Sequence, residues 1–125
     1  MRPPPLVLLR LADGTRKPID PADVYLLEAT DGDTAVRLRS RTPERDVRKL
    51  GELEPLFARH GFVRVHDRWL VNPRRILLAR PRSGREGWEL VMAPPVNAVV
   101  PVARGRVGEL WGAFEPQDAT AGGSP

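Results

Sequence analysis

The chain has 125 residues, which is enough for one domain with a hydrophobic core but too few for two. It contains no cysteine, which excludes disulfides, thiolate zinc sites and cysteine nucleophiles and suits a reducing cytoplasm. The formal net charge of +4, from 20 Lys and Arg against 16 Asp and Glu, is compatible with a polyanionic partner.

The two ends of the chain differ in composition from its centre. Residues 1–6 carry one positive charge and then prolines, unlike a signal peptide, and no apolar run approaches the roughly 20 residues that span a bilayer. We therefore expect a cytoplasmic protein without membrane insertion. Residues 1–5 are expected to be a flexible N-terminal segment, residues 6–114 a single domain, and residues 115–125 a disordered tail, because the tail has nothing to bury.

Short strands separated by turn signals account for most of the predicted domain. Asp13-Gly14 and Asp31-Gly32-Asp33 are typical of tight turns, and a third hairpin loop is predicted at 83–87. Strands are predicted at 6–11, 16–19, 24–29, 34–40, 76–80, 88–92 and 98–102, with two more inside 61–76. Such a series favours an all-β, sandwich-like domain.

Two segments have helical spacing instead. Apolar residues at 50, 53, 56 and 57 predict a short amphipathic helix over about 50–60 that ends at Gly61. Pro55 is tolerated only in a first turn, so this helix is expected to start late. A second helical stripe begins at about Arg104 and runs to 114. The three indoles, Trp69, Trp88 and Trp111, are expected to help form the core.

A basic stretch runs from Arg59 to Arg85, where eight arginines stand against a single acid, Asp67. Gathered on one sheet edge or loop system, these guanidinium groups would hold a positive potential able to recruit a polyanion. The chain has 18 Arg but only 2 Lys. Either a high-GC genome or the bidentate recognition of phosphate and guanine explains that preference.

Within the basic stretch, residues 61–76 alternate apolar residues with arginines and a histidine, as two short strands joined by a polar turn do. This segment resembles the signature F-x-R-x-H-x-S-x-x-V-N-x-x-x-I of the LytTR family of bacterial DNA-binding domains, with matches at Phe62, Arg64, His66, Val71, Asn72 and Ile76. Residues 23–33, 50–56 and 100–106 are similar to three further blocks of the family, so the resemblance covers about residues 6–114. Asp67 and Arg68 depart from the signature.

The resemblance implies a mainly β fold, an elongated LytTR-like β-sandwich of about ten short strands in small antiparallel sheets, with one short helix near 50–60 and a C-terminal helical turn near 104–114. It also implies that loops enter successive major grooves on one side of a DNA duplex and bend it, as a bacterial transcriptional regulator does. Double-stranded DNA would be the partner, as paired direct repeats occupied by two copies, with weak or DNA-induced self-association.

The last strand-to-helix junction carries the first candidate for base recognition. Arg104 could project there and make a bidentate contact to guanine O6 and N7, and the base-reading arginine of the family falls at this position, with Arg106 beside it as a further DNA contact. The alternative is a solvated arginine, poorly placed against the helix dipole. Ala103 replaces the family's capping serine, so the helix start is expected to be frayed or displaced by one residue.

The turn after His66 supplies further candidates. Arg64 and Arg68 are predicted to clamp phosphates, which positions a protein on DNA without reading sequence. His66 is a candidate donor to DNA, although a histidine between two strands is more often structural. Asp67 would repel phosphate, accept from cytosine N4, or pair with Arg68 and orient it.

A third contact region is predicted at the turn 31–34. Thr34 could hydrogen-bond any base or touch a thymine methyl group, and Asp31 lies beside it. Because Asp31, Asp33 and Asp67 place three acids in or near the DNA face, weak binding, unusual specificity and lost activity all stay open.

Enzymatic motifs are missing from the sequence. It has no HExxH, no Gly-rich phosphate loop and no GxSxG elbow, and two histidines limit any zinc site. We therefore predict no catalytic residue, no metal and no cofactor. The competing function is a non-enzymatic LytTR-like module that binds a protein or RNA partner, with DNA binding weakened or lost. The chain is expected to be either a stand-alone regulator, controlled by a separate regulatory protein or by its abundance, or the output domain of a longer one.

Overall fold

The computed structural model describes residues 4–40 and 42–114, and the predicted tail at 115–125 and the first three residues of the predicted N-terminal segment lie outside them. The strands are β1 Val7–Arg10, β2 Arg16–Ile19, β3 Leu26–Ala29, β4 Thr34–Arg37, β5 Glu44–Asp46, β6 Val63–His66, β7 Trp69–Val71, β8 Ile76–Pro81, β9 Trp88–Met92 and β10 Val99–Val102. The helices are α1 Leu50–Ala58 and α2 Val107–Gly112, and single 3-10 turns lie at Pro21–Asp23, Pro73–Arg75 and Arg104–Arg106.

The ten strands form three small antiparallel sheets. Five strands pair in the order β5-β4-β3-β7-β6, three pair in the order β10-β9-β8, and β1 and β2 form a separate hairpin. The mainly β fold with about ten short strands is therefore confirmed. One strand was missed from the sequence, β5, which consists of Glu44, Arg45 and Asp46 and has no apolar residue.

The five-stranded sheet is the middle layer of the domain because both of its faces are covered. Leu27 and Leu70 face one core, under the β1–β2 hairpin and α1. Leu26 and Val71, their neighbours in the chain, face a second core under the three-stranded sheet and α2. A strand buried on both faces has no polar side to present, which explains the nearly continuous apolar run at 24–27.

Helix α1 begins earlier than predicted, at Leu50, so Pro55 lies inside it rather than in its first turn. A proline in a helix interior removes the hydrogen bond to the carbonyl four residues back, here that of Gly51. Both Pro55 and Gly51 are exposed, so solvent can take the place of the missing donor. The backbone N–H of Lys49 donates to Glu52 Oε1 at 3.1 Å, which stabilises the early start.

Helix α2 starts at Val107, after the 3-10 turn at Arg104–Arg106, so the helix begins three residues later than the predicted start at Arg104. Ala103 provides no side-chain cap. The helix packs through Trp111, whose ring meets Trp88 edge to face at 5.1 Å. With Trp69, these indoles lie against the second core, as predicted. Neither helix within 4–40 and 42–114 is long and apolar enough to cross a membrane.

A buried ion pair ties the β1–β2 hairpin to the middle sheet. The Asp46 carboxylate accepts the backbone N–H of Arg10 at 2.9 Å and lies 2.8 Å from Arg48 Nη2. Arg48 also donates to the carbonyl of Leu8 at 3.0 Å. Burial raises the pKa of Asp46, but hydrogen bonds from the Arg48 side chain and from the backbone of Arg10 and Arg48 outweigh it and hold that pKa below its usual range.

Candidate nucleic-acid interface

Three connections between strands and one strand-to-helix junction lie together at one end of the domain. The turns 30–33 and 67–68 are joined where the backbone N–H of Ala29 donates to the carbonyl of Arg68 at 2.9 Å. The junction 103–106 is joined to β6 by a 2.7 Å bond from the Ala103 N–H to the Val65 carbonyl. The loop 82–87 belongs to the same end because Val102 pairs with Trp88. We call these four segments the turn cluster.

The turn cluster is nearly balanced in charge, with five arginines against four acids, namely Arg68, Arg82, Arg85, Arg104 and Arg106 against Asp31, Asp33, Asp67 and Glu86. Only three of the eight arginines between 59 and 85 lie in it. Others point elsewhere: Arg75 lies 5.1 Å from the Tyr25 ring centroid, and Arg80 pairs with Glu89 at 2.7 Å. The basic stretch is therefore not one cationic surface, which corrects the expectation from the sequence.

Arg64 is an internal residue and not a free phosphate clamp. Its side chain is 14% exposed, and its Nη1 lies 2.6 Å from Glu54 Oε1 on α1. Nε donates to the carbonyl of His66 at 2.9 Å, and Nη2 donates to the carbonyl of Asp67. These contacts hold the β6–β7 turn against α1, so the predicted phosphate contact of Arg64 is not supported by its geometry.

His66 and Arg68 show how the same turn is closed. The Nδ1 atom of His66 accepts the backbone N–H of Arg68 at 3.1 Å, which leaves Nε2 as the N–H of the neutral ring. The Arg68 guanidinium is 61% exposed and lies 3.8 Å from Glu28 Oε2. His66 therefore has a structural role and one remaining donor. Arg68 can exchange its distant contact with the Glu28 carboxylate for a phosphate.

Asp67, at the tip of the turn, forms an ion pair that the sequence did not predict. Its side chain is 91% exposed, and Oδ1 lies 3.7 Å from Arg106 Nη2. Arg106 is also 4.0 Å from Glu109 in α2. Of the three alternatives for Asp67, pairing with Arg68 gives way to this contact, which connects the β6–β7 turn to the β10–α2 junction.

Arg104 is the most projecting arginine of the junction. Its side chain is 84% exposed, and its Nη2 lies 2.9 Å from Glu86 Oε1 in the loop 82–87. Both partners are in solvent, so the pair can open at little cost. Glu86 was missed in the sequence; its signal is that it is the acid that directly follows the basic stretch ending at Arg85.

In the β3–β4 turn, Thr34 is not available to DNA, whereas Asp31 stays a candidate. Thr34 is fully buried, and its Oγ1 donates to the carbonyl of Arg48 at 2.8 Å, so the predicted base contact of Thr34 is contradicted. Asp31 is exposed at the tip of the turn. Asp33 is held within the turn by Thr30 and lies 3.1 Å from Arg45 Nη1, which neutralises one of the acids near the predicted DNA face.

Asn72 follows β7 at the end away from the turn cluster, and its side chain forms hydrogen bonds to the backbone. It is buried, donates from Nδ2 to the Val24 carbonyl at 3.0 Å, and accepts the N–H of Arg74. Among residues 4–40 and 42–114, no group of three or more His, Asp or Glu side chains is arranged to hold a metal ion. The chemistry that the turn cluster offers is that of exposed guanidinium donors in exchangeable ion pairs.

Comparisons with known proteins show the family and the fold. A family model described as the LytTr DNA-binding domain matches residues 14–115. A solved LytTr DNA-binding domain, from a Bacillus cereus protein described as a methyl-accepting/DNA response regulator, is similar in structure, with a TM-score of 0.70 at 25% sequence identity. The match covers 89% of this chain and 97% of the other. No curated protein sequence matches the chain.

Proposed function

Because the chain belongs to the LytTR family of DNA-binding domains, we propose that it binds double-stranded DNA sequence-specifically through the turn cluster, as a bacterial transcriptional regulator. The family is one of DNA-binding domains and not of enzymes. In this proposal loops of the turn cluster enter successive major grooves on one side of the duplex, and the β6–β7 turn and the β10–α2 junction, joined by the Asp67–Arg106 pair, contact neighbouring parts of the DNA.

The observation that carries the proposal is that two exposed arginines lie on adjoining connections at one end of the domain. Arg68 and Arg104 lie on separate connections, and the Ala103–Val65 hydrogen bond joins the β10–α2 junction to β6. Such an arrangement allows one arginine to hold a phosphate while the other makes a bidentate contact to guanine O6 and N7. Arg106 and the remaining donor of His66 would add contacts beside them.

In this proposal the carboxylates of the turn cluster make DNA binding selective. In the free protein Arg104 is paired with Glu86 and Arg106 with Asp67, so each arginine exchanges a carboxylate for a DNA acceptor on binding. A phosphate offers little advantage over the carboxylate that it replaces, because both accept the guanidinium fork, so sequence preference comes from the base edge that each arginine meets. The near balance of charge therefore weakens generic attraction and leaves base contacts to decide affinity.

The finer features of this function are proposed from the resemblance to the family. We propose that the operator consists of paired direct repeats, that two copies bind with weak or DNA-induced self-association, and that the protein acts in the cytoplasm. A separate regulatory protein would supply control if the chain acts alone.

Selection of bound duplexes from a random pool tests the proposal directly. We expect a preferred sequence that occurs as a paired direct repeat, bound with a shallow salt dependence, because three of the five arginines of the turn cluster are already paired with carboxylates and each phosphate contact adds about 0.9 to the slope of log K against log salt. Titrating the selected and a scrambled duplex over a range of salt concentrations separates specific from generic binding. If no duplex binds even at low salt, the competing function, a module for a protein or RNA partner, replaces this one.

A further inference from the structure

A second surface with its own chemistry lies between the β1–β2 hairpin and the C-terminal end of α1. It is a half-open cleft of about 180 Å³, which we call the hairpin cleft. The residues that line it all lie outside the turn cluster. Its existence is therefore independent of DNA binding.

The floor of the hairpin cleft is apolar because of the alternation along β1. Val7 and Leu9 face the core, so Leu6 and Leu8 face outward, and they are 50% and 49% exposed. Leu56 of α1 closes the floor from the opposite side. Half-exposed leucines of this kind are costly to leave in water, and a ligand that covers them recovers hydrophobic free energy.

The rim of the hairpin cleft is cationic. Arg10 and Arg16 face each other across the hairpin, Arg59 and His60 stand at the end of α1, and Arg48 lies between them. Arg48 is already paired with Asp46. Within the part of the chain that the structure describes, Arg10, Arg16 and Arg59 form no ion pair, and no carboxylate lines the cleft.

Charge and size together select the occupant. A DNA backbone would pair with the arginines but leave the leucines exposed to water. A neutral apolar molecule would cover the leucines but make no ion pair with the arginines of the rim. The volume is below the roughly 300–1,000 Å³ of sites that hold drug-sized ligands. We propose that the hairpin cleft binds a small amphipathic carboxylate, with a short acyl chain on Leu6, Leu8 and Leu56 and the carboxylate on Arg16 and Arg59.

Sodium octanoate is the probe that tests this proposal, added to the ¹⁵N-labelled full chain without DNA. We expect saturable shifts confined to the amide resonances of Leu8, Leu56, Arg59 and their neighbours. Octan-1-ol has the chain without the charge, and acetate has the charge without the chain. Each should bind at least about fivefold more weakly, because each makes only one of the two kinds of contact.

Substitutions localise the binding. Arg16→Gln, Arg59→Gln and Leu8→Ser should each weaken octanoate about five- to tenfold, since every one removes a charged or apolar contact at a partly exposed site. Arg39→Gln, an exposed arginine outside the cleft, is the matched control and should bind like the wild type. Thermal unfolding of each variant separates lost binding from lost folding.

The proposal has clear contrary outcomes. Shifts that do not saturate, octan-1-ol that binds as well as octanoate, or unchanged affinity in the three folded cleft variants would each overturn it. An acidic peptide with a single leucine that saturates the same resonances, when octanoate does not, would assign the cleft to a protein partner instead.

Discussion

The β6–β7 hairpin and the β10–α2 junction lie side by side, and each carries an arginine of the family pattern, but the two arginines have opposite environments. Arg64 is 14% exposed and is held by Glu54 and two backbone carbonyls. Arg104 is 84% exposed and is held by one carboxylate that is itself in solvent. The first arginine builds the end of the domain, and the second is available to a ligand.

Solvent explains why the two arginines differ. A guanidinium removed from water needs partners for its donors, and its loss leaves those partners unsatisfied. An exposed pair gains little over hydration and so can be exchanged. A matching arginine in a motif is therefore evidence of a DNA contact only when its side chain stays accessible.

The largest expected effect concerns the other internal arginine, Arg48. Asp46→Ala would leave its buried charge without a partner and should lower the free energy of unfolding by about 3–5 kcal/mol. Asp23→Ala, which removes an exposed carboxylate that forms no side-chain hydrogen bond or ion pair among the described residues, is the control and should leave chemical denaturation almost unchanged. Equal denaturation midpoints for both variants would show that the Asp46–Arg48 pair does not hold the hairpin.

The same pair should make stability depend on pH in the acid range. The pKa of Asp46 is lower in the folded than in the unfolded chain, so its contribution is complete above the unfolded pKa and is lost as pH falls through the folded pKa. We expect the unfolding free energy of the wild type to decrease below about pH 4. Asp46→Asn should lack that part of the decrease; parallel pH profiles would contradict the assignment.

Arg64→Ala should come next, because it leaves two carbonyls of the β6–β7 turn and the Glu54 carboxylate without their donor. We expect a loss of about 2–3 kcal/mol in unfolding free energy. The matched variant Arg68→Ala should keep the stability but make the salt slope of DNA binding shallower by about one unit. If Arg64→Ala is as stable as the wild type but has a changed salt slope, Arg64 contacts phosphate and does not hold the turn.

Arg104→Ala tests whether the exposed arginine reads a base. It should weaken binding to the selected duplex by about 1–3 kcal/mol, with little change on scrambled DNA or in the melting temperature. Arg39→Ala, which removes an exposed arginine far from the turn cluster, serves as the control. Equal losses on the selected and scrambled duplexes would mean that Arg104 contacts only phosphate.

The smallest effect is expected at Asp67, whose carboxylate is fully in solvent near Arg106. Asp67→Asn should raise the affinity for scrambled DNA a few-fold at low salt, because a repulsion is removed and Arg106 is released. If Asp67 instead accepts from cytosine N4, the variant loses preference at one base pair of the selected duplex. Identical titrations on both duplexes would place the turn away from DNA.

Much of the fold was accessible from the sequence because it depends on near neighbours in the chain. Alternation and turn residues predicted nine of the ten strands, with β2 and β9 at the observed bounds. β5 was not predictable in this way, since its three charged residues become a strand only by pairing with β4 and by burying Asp46 against Arg48. The early start of α1 likewise depends on solvent reaching the Gly51 carbonyl.

At the candidate site, the sequence by itself determined the family blocks and the residue types at the turns, including Arg68, Arg104 and Asp67. The tertiary structure alone decided that Arg64 and Thr34 are enclosed, that Glu86 faces Arg104, and that Asp67 meets Arg106. Local patterns express the preferences of a residue and its neighbours. Exposure and ion pairing depend on which distant segments pack together, and that packing, through solvent access and Coulomb distance, sets what each charged group can do.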